Sequence, residues 1–167
     1  MKTIYILRHA KSSWEFPHLS DEERPLIDKG KKRTRLIIQY LQDNNIFPDI
    51  IISSHATRAS ETAKIVARAI GYPIDKIQIN KTIYHSDEES LIDQFYDIYD
   101  QYSAAMLVGH NPTLTNFVNL YLDEKIEWLP TSGLVSISFS TNKWVEISSA
   151  KHHVNFVITP AMLKSKS

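Results

Sequence analysis

Two arginines and three histidines stand where the chain passes abruptly from apolar to polar. Arg8 and His9 follow Ile4-Tyr5-Ile6-Leu7, His55 and Arg58 follow Ile50-Ile51-Ile52, and His110 follows Ala104-Ala105-Met106-Leu107-Val108. A guanidinium presents a planar fork of donors that matches the oxygens of a tetrahedral dianion two at a time. An imidazole can attack phosphorus through one ring nitrogen when an acceptor holds the other N–H. Singly, each residue has an ordinary reading: a loop or satisfied core histidine, a solvated arginine. Jointly they describe an anion-handling site with a histidine that must be neutral to react. Neighbouring arginines and helix N-termini favour that state by lowering the histidine pKa.

Such a site needs elements that bring the three stretches to one place. The short apolar runs ending at residues 7, 52 and 108 read as buried strands, with Ile77-Gln78-Ile79 as a further short one. Between them the spacing predicts a loop over 14–27 broken by Pro17 and Pro25, a helix from Asp28 to Asn44, and a helix from Arg58 to Ile70 stopped by Gly71 and Pro73. A helix over 87–102 is expected from Asp87-Glu88-Glu89 at its start and the face Leu91, Ile92, Phe95, Ile98 and Tyr99. Another carries Leu114, Phe117, Val118 and Tyr121. After Pro130-Thr131-Ser132-Gly133, strands are expected over 134–139, 143–148 and 153–158, with Thr141-Asn142 as a hairpin turn. Alternating strands and helices predict a three-layer α/β/α fold, a mainly parallel central sheet with antiparallel edge strands. Ligands of such sheets sit outside the carboxyl ends of the strands, where the cations lie.

Composition narrows the classes. One domain over 1–163 and a tail over 164–167 suit a chain of 167 residues. Without cysteine there is no disulfide, zinc-thiolate site or thiol nucleophile. Nineteen basic against nineteen acidic residues argue against nucleic-acid binding through bulk charge and leave room for a local positive pocket. No apolar run approaches a membrane span and none at the start resembles a signal peptide, so a cytoplasmic protein without a membrane partner is expected. No cofactor is called for. There is no metal-ligand spacing, and the adjacent His152-His153 would point to opposite faces of a strand.

Leu7-Arg8-His9-Ala10-Lys11-Ser12 resembles the opening signature of the histidine phosphatase superfamily, the group of the cofactor-dependent phosphoglycerate mutases, and the following Trp14 resembles its SixA-type phosphohistidine phosphatase branch. Asp21-Glu22-Glu23-Arg24-Pro25-Leu26 with Gly30, Ser53-Ser54-His55-Ala56-Thr57-Arg58-Ala59-Ser60-Glu61-Thr62-Ala63, Val108-Gly109-His110-Asn111-Pro112-Thr113-Leu114, Pro130-Thr131-Ser132-Gly133 and Phe156-Val157-Ile158-Thr159-Pro160 are similar to later motifs of that branch, in order. The resemblance implies a phosphoglycerate mutase-like fold and a metal-independent phosphatase. His9 would be the nucleophile, passing through phosphohistidine. Arg8, Arg58 and His110 would hold the phosphoryl oxygens, Arg24 and Ser12 would stand at the substrate, and Asp21 would order its loop.

Two departures matter. His55 occupies a turn where the family more often has proline, and is expected merely to tolerate it. The segment that often carries a general acid is short here, with Glu88 and His85 as candidate proton donors against a helix-capping reading of Asp87 and Glu88. Imidazole leaves without the help an alkoxide needs, since its conjugate acid has a pKa of about 6.5. A short segment would also leave an open pocket that a protein side chain could enter. Phosphohistidine in a protein is therefore the expected substrate, a small phosphate ester the alternative, and a non-catalytic phosphohistidine-binding module the reading from another class.

Overall fold

Six strands form one sheet in the order β3-β2-β4-β1-β5-β6, and this order decides which loops meet. The structure is a computed structural model that describes residues 1–164. In chain order the strands are β1 (Lys2–Arg8), β2 (Ile50–Ser53), β3 (Gln78–Ile79), β4 (Ala104–Gly109), β5 (Leu134–Phe139) and β6 (His152–Ile158). The β3-β2-β4-β1 half is parallel, while β5 runs antiparallel to β1 and β6 antiparallel to β5. The central strands are apolar on both faces because both faces are covered. Ile4, Ile6, Leu107 and Ile137 enter one core, and Leu7, Ile51, Met106 and Val108 enter the other.

On the second face lie α1 (Asp28–Asp43), α2 (Thr57–Ile70) and α6 (Pro160–Lys164). Ile37, Ile38 and Leu41 of α1 and Ala59, Ala63, Val66 and Ala67 of α2 make the contact. The small residues of α2 let it lie close, and it ends at Gly71, which adopts φ 79° as a left-handed cap. On the first face lie α3 (Thr82–His85), α4 (Glu88–Leu91) and α5 (Thr113–Asn119), with Phe95 stacked on fully buried Trp144. The three-layer fold and its mixed sheet are as expected from the sequence.

Three expectations for individual elements change. The helix over 87–102 is only the short α4 followed by a 3-10 turn over Ile92–Phe95, after which the chain proceeds in turns. Residues 143–148 are no strand but a 3-10 helix over Trp144–Ser149, and β5 pairs directly with β6. Of the tail, Lys164 closes α6, and 165–167 lie outside the described residues. No helix among the described residues is long and apolar enough to cross a membrane.

Candidate active site

The ends of β1, β4 and β2 are adjacent because β4 pairs with both neighbours. Arg8 lies opposite Gly109 and Ser53 opposite Val108. His9 N then donates to Gly109 O at 3.1 Å, and Ser54 N to Val108 O at 3.1 Å, so the ladder continues into the loops. His9 and His110 consequently face each other with ring centroids 5.3 Å apart. Arg58 stands in the first turn of α2, directly after the β2 loop. The structure thus brings Arg8, His9, Arg58 and His110 together, all but Arg8 buried.

The backbone around His9 is fixed from several directions. Ser132 N reaches the carbonyls of both Arg8 and His9 at 3.1 Å, with Ser132 itself at φ 60°. Ala10 N donates to Thr62 Oγ1 at 2.9 Å. Gly30 lies against the same loop, where a Cβ would stand 2.5 Å from Lys11 O.

A hydrogen bond to a carbonyl fixes the proton position on His9, and a hydroxyl faces His110. His9 Nδ1 lies 2.7 Å from Ala10 O, and a carbonyl can only accept, so Nδ1 carries the hydrogen. Burial lowers the His9 pKa most; the Ala10 carbonyl opposes this, and the charges of Arg8, Arg58 and Arg24 lower it further, to about 3. The ring is therefore neutral at pH 7 with a bare Nε2, the form a nucleophile requires. His110 is likewise lowered to about 3, by burial first, then by His9 and Arg58. Its Nε2 lies 2.7 Å from Ser54 Oγ, which accepts from Ala56 N at 3.3 Å. The Ser54 hydroxyl can then donate to Nε2 and leave the hydrogen on His110 Nδ1.

Among the described residues, four buried side-chain nitrogens have no hydrogen-bond partner in the protein: Arg8 Nε, Arg58 Nε, His110 Nδ1 and His55 Nδ1. Arg8 Nε and Arg58 Nε can only donate, and buried donors are nearly always satisfied, so these two mark a place suited to an acceptor. Burial and the nearby Arg58 both lower the Arg8 pKa, which means two like charges are held close. An oxyanion relieves both costs at once.

Asp21 organises the rim. Arg58 Nη1 donates to its carbonyl at 2.6 Å and Nη2 to its carboxylate at 2.9 Å. Arg24 Nε reaches the other carboxylate oxygen at 3.1 Å, and the Tyr84 hydroxyl bonds to the carboxylate as well. Burial raises the Asp21 pKa, but Tyr84, Arg58 and Arg24 outweigh it and hold the carboxyl at about 2. Arg24 is buried, and its Nη1 donates to Ser12 Oγ at 3.0 Å, so both residues lie beside the His9 loop. His55 does more than tolerate its turn: its Nε2 lies 2.8 Å from Glu22 Oε2, and its ring packs 5.4 Å from that of Tyr84.

The candidate proton donors lie at the end of α3 and the start of α4. Asp87 caps α4 by accepting from Ser90 N, and Glu88 stands in the first turn. His85 is exposed and lines a surface cavity of about 560 Å³ with Lys81, Ser90, Asp93 and Gln94, and the Tyr84 ring stands 4.8 Å from that of His85 and 5.2 Å from that of His110. Sequence reasoning assigned no part to Tyr84, Ser54 or Trp128. Tyr84 could have been found from its place after β3, since that strand must end at the same edge of the sheet.

Residues 4–81 match the model of the histidine phosphatase superfamily, branch 1. An uncharacterized chloroplastic protein of Arabidopsis thaliana is 27% identical over 153 residues, which take in 87% of this chain and 70% of the relative. The candidate phosphohistidine phosphatase SixA of Agrobacterium tumefaciens is 26% identical and superimposes with a TM-score of 0.77, covering 95% of this chain and 98% of its own. A protein histidine phosphatase SixA in complex with tungstate superimposes with a TM-score of 0.81 at 19% identity, over 96% of this chain and 99% of its own.

Proposed function

We propose that this chain, whose resemblance to the histidine phosphatase superfamily and its SixA-type branch is borne out by sequence and by fold, is a phosphatase that removes phosphate from phosphohistidine in proteins. The observation that carries the reading is His9: a buried neutral ring with its Nδ1 hydrogen committed to a carbonyl and its Nε2 left bare beside unpartnered donors of Arg8, Arg58 and His110.

The phosphoryl group docks among these donors. His9 Nε2 attacks phosphorus in line, the P–N bond to a substrate imidazole protonated on its other ring nitrogen breaks, and the electron pair leaves with that ring as neutral imidazole. The charge on the equatorial oxygens meets preset guanidinium and imidazole donors. Water then attacks phospho-His9, giving phosphate and returning the ring. The phosphoryl group on Nε2 leaves Nδ1–H on the Ala10 carbonyl throughout. A substrate ring that binds already protonated leaves as neutral imidazole, whose conjugate acid has a pKa of about 6.5, and needs no further proton in flight.

Rapid quench of the enzyme mixed with a labelled phosphohistidine peptide tests this. Acid-labile, base-stable label on His9 is expected, and His9→Ala should abolish both label and turnover. Undiminished turnover by His9→Ala would remove His9 from the mechanism. Faster turnover of sugar or nucleotide phosphates than of the peptide would move the substrate to small esters. A phosphoenzyme that never releases phosphate would make the protein a capture module.

A further inference from the structure

We propose that Trp14 and Trp128 form a two-sided docking platform for the polypeptide segment that carries the phosphohistidine, contacting apolar or aromatic residues on either side of it. The proposal rests on the phosphohistidine reading above.

The chain has three tryptophans. Trp144 is fully buried in the core, whereas Trp14 is 77% and Trp128 53% exposed. A lone exposed aromatic is ordinary. These two are set apart because each lies on a guanidinium of the site. Arg24 lies 3.5 Å from the centroid of the Trp14 ring, and Arg8 lies 5.6 Å from that of Trp128. Such contacts hold a ring in place at the surface without burying its outer face.

Both rings stand on fixed backbone. Trp14 follows Ser12 and Ser13, which bridge to Leu26 and bond to Pro25 O. Trp128 precedes Leu129, whose carbonyl accepts from Arg8 Nη1 at 3.0 Å and Asn111 Nδ2 at 2.7 Å. A partner would meet aromatic faces already positioned, so little ordering cost is left to binding. Tryptophan is also among the residue types that most often dominate an interface.

The occupant follows from how the rings are tied. Trp14 is linked through Arg24 and Asp21 to Arg58, on the helix after β2. Trp128 belongs to the segment that leads into β5. In the sheet, β2 and β5 flank the β4-β1 pair that ends in His110 and His9. A monoester has one substituent and ends at its phosphoryl group, so it can rest on one ring at most. A polypeptide runs past the phosphorylated side chain in both directions and can use both.

The test compares a phosphohistidine peptide with apolar neighbours against free phosphohistidine, which has the same leaving group and no flanks. Wild-type kcat/KM should favour the peptide. Trp14→Ala and Trp128→Ala should each reduce the peptide-to-free ratio about tenfold, chiefly through the peptide KM, and Trp→Phe at either place should restore most of it. Both side chains are exposed, so the variants fold. An unchanged ratio, or equal losses on both substrates, overturns the platform and leaves the phosphohistidine reading standing. A wild-type enzyme that hydrolyses small esters but neither phosphohistidine compound overturns that reading, and the platform with it.

Discussion

Arg58 is the residue on which the site's electrostatics turn, because it has two tasks. Its Nη atoms are held by Asp21, and its buried Nε has no partner within the protein. The aspartate aims the guanidinium and the remaining edge is free for an oxyanion. Arg58→Ala should lower kcat/KM by about 10²–10³, the scale of a lost oxyanion donor. Asp21→Ala removes the aim and keeps the charge, so its loss should be smaller, and it should fall more on kcat than on KM. Steady-state kinetics with an aryl phosphate checks both. An effect of Arg58→Ala under tenfold would put that guanidinium outside the reaction. Arg8, His9, Arg58 and His110 were legible in the sequence, since Arg8, His9 and His110 come at the end of apolar runs and Arg58 opens the helix that follows another. Asp21 as a hub and Tyr84 as its third partner were not, because their role arises from side chains that meet across loops 63 residues apart.

Buried strands were read correctly for the same reason that they are strands: short β-branched runs bounded by polar turns. The misread elements were misread in shape and not in burial. Leu91, Ile92, Phe95 and Ile98 are all in the core, as the helical spacing implied, yet successive short turns satisfy the same spacing. Trp144 and Ile147 are buried three residues apart, which is 3-10 spacing, and Asp100 Oδ1 accepts from Trp144 N at 2.9 Å to start that turn. Among loops, the contact of Gly30 on α1 with Lys11 is the tightest demand. A Cβ there would meet backbone at 2.5 and 2.8 Å, and backbone cannot swing aside. Gly30→Ala should destabilise the fold by about 1–3 kcal/mol, as overpacking does, and should cut kcat/KM besides by shifting the loop after His9. Urea unfolding and kinetics together test this; wild-type values of both would show that the loop has room.

At the scale of the whole molecule, the paired histidines tie stability to pH. Each has a folded pKa of about 3 against about 6.5 in an unfolded chain. Between those values the unfolded chain binds more protons, so stability is complete above about pH 6.5 and drains as pH falls toward about 3. Asp21, held at about 2, adds a loss of the same sign at still lower pH. Thermal unfolding in a buffer without oxyanions should show stability falling with acidification by up to about two protons' worth of slope. His9→Gln and His110→Gln should each flatten it. A wild-type slope near zero over that interval would mean that the rings are not kept neutral by the fold.

The bond from Ser132 N to the carbonyls of residues 8 and 9 also orders events in time. During synthesis the proposed nucleophile emerges from the ribosome more than a hundred residues before the clamp that sets its backbone. A nascent chain therefore carries every atom of the reactive ring while lacking the frame that makes it reactive, and competence arrives only as β5 closes onto β1.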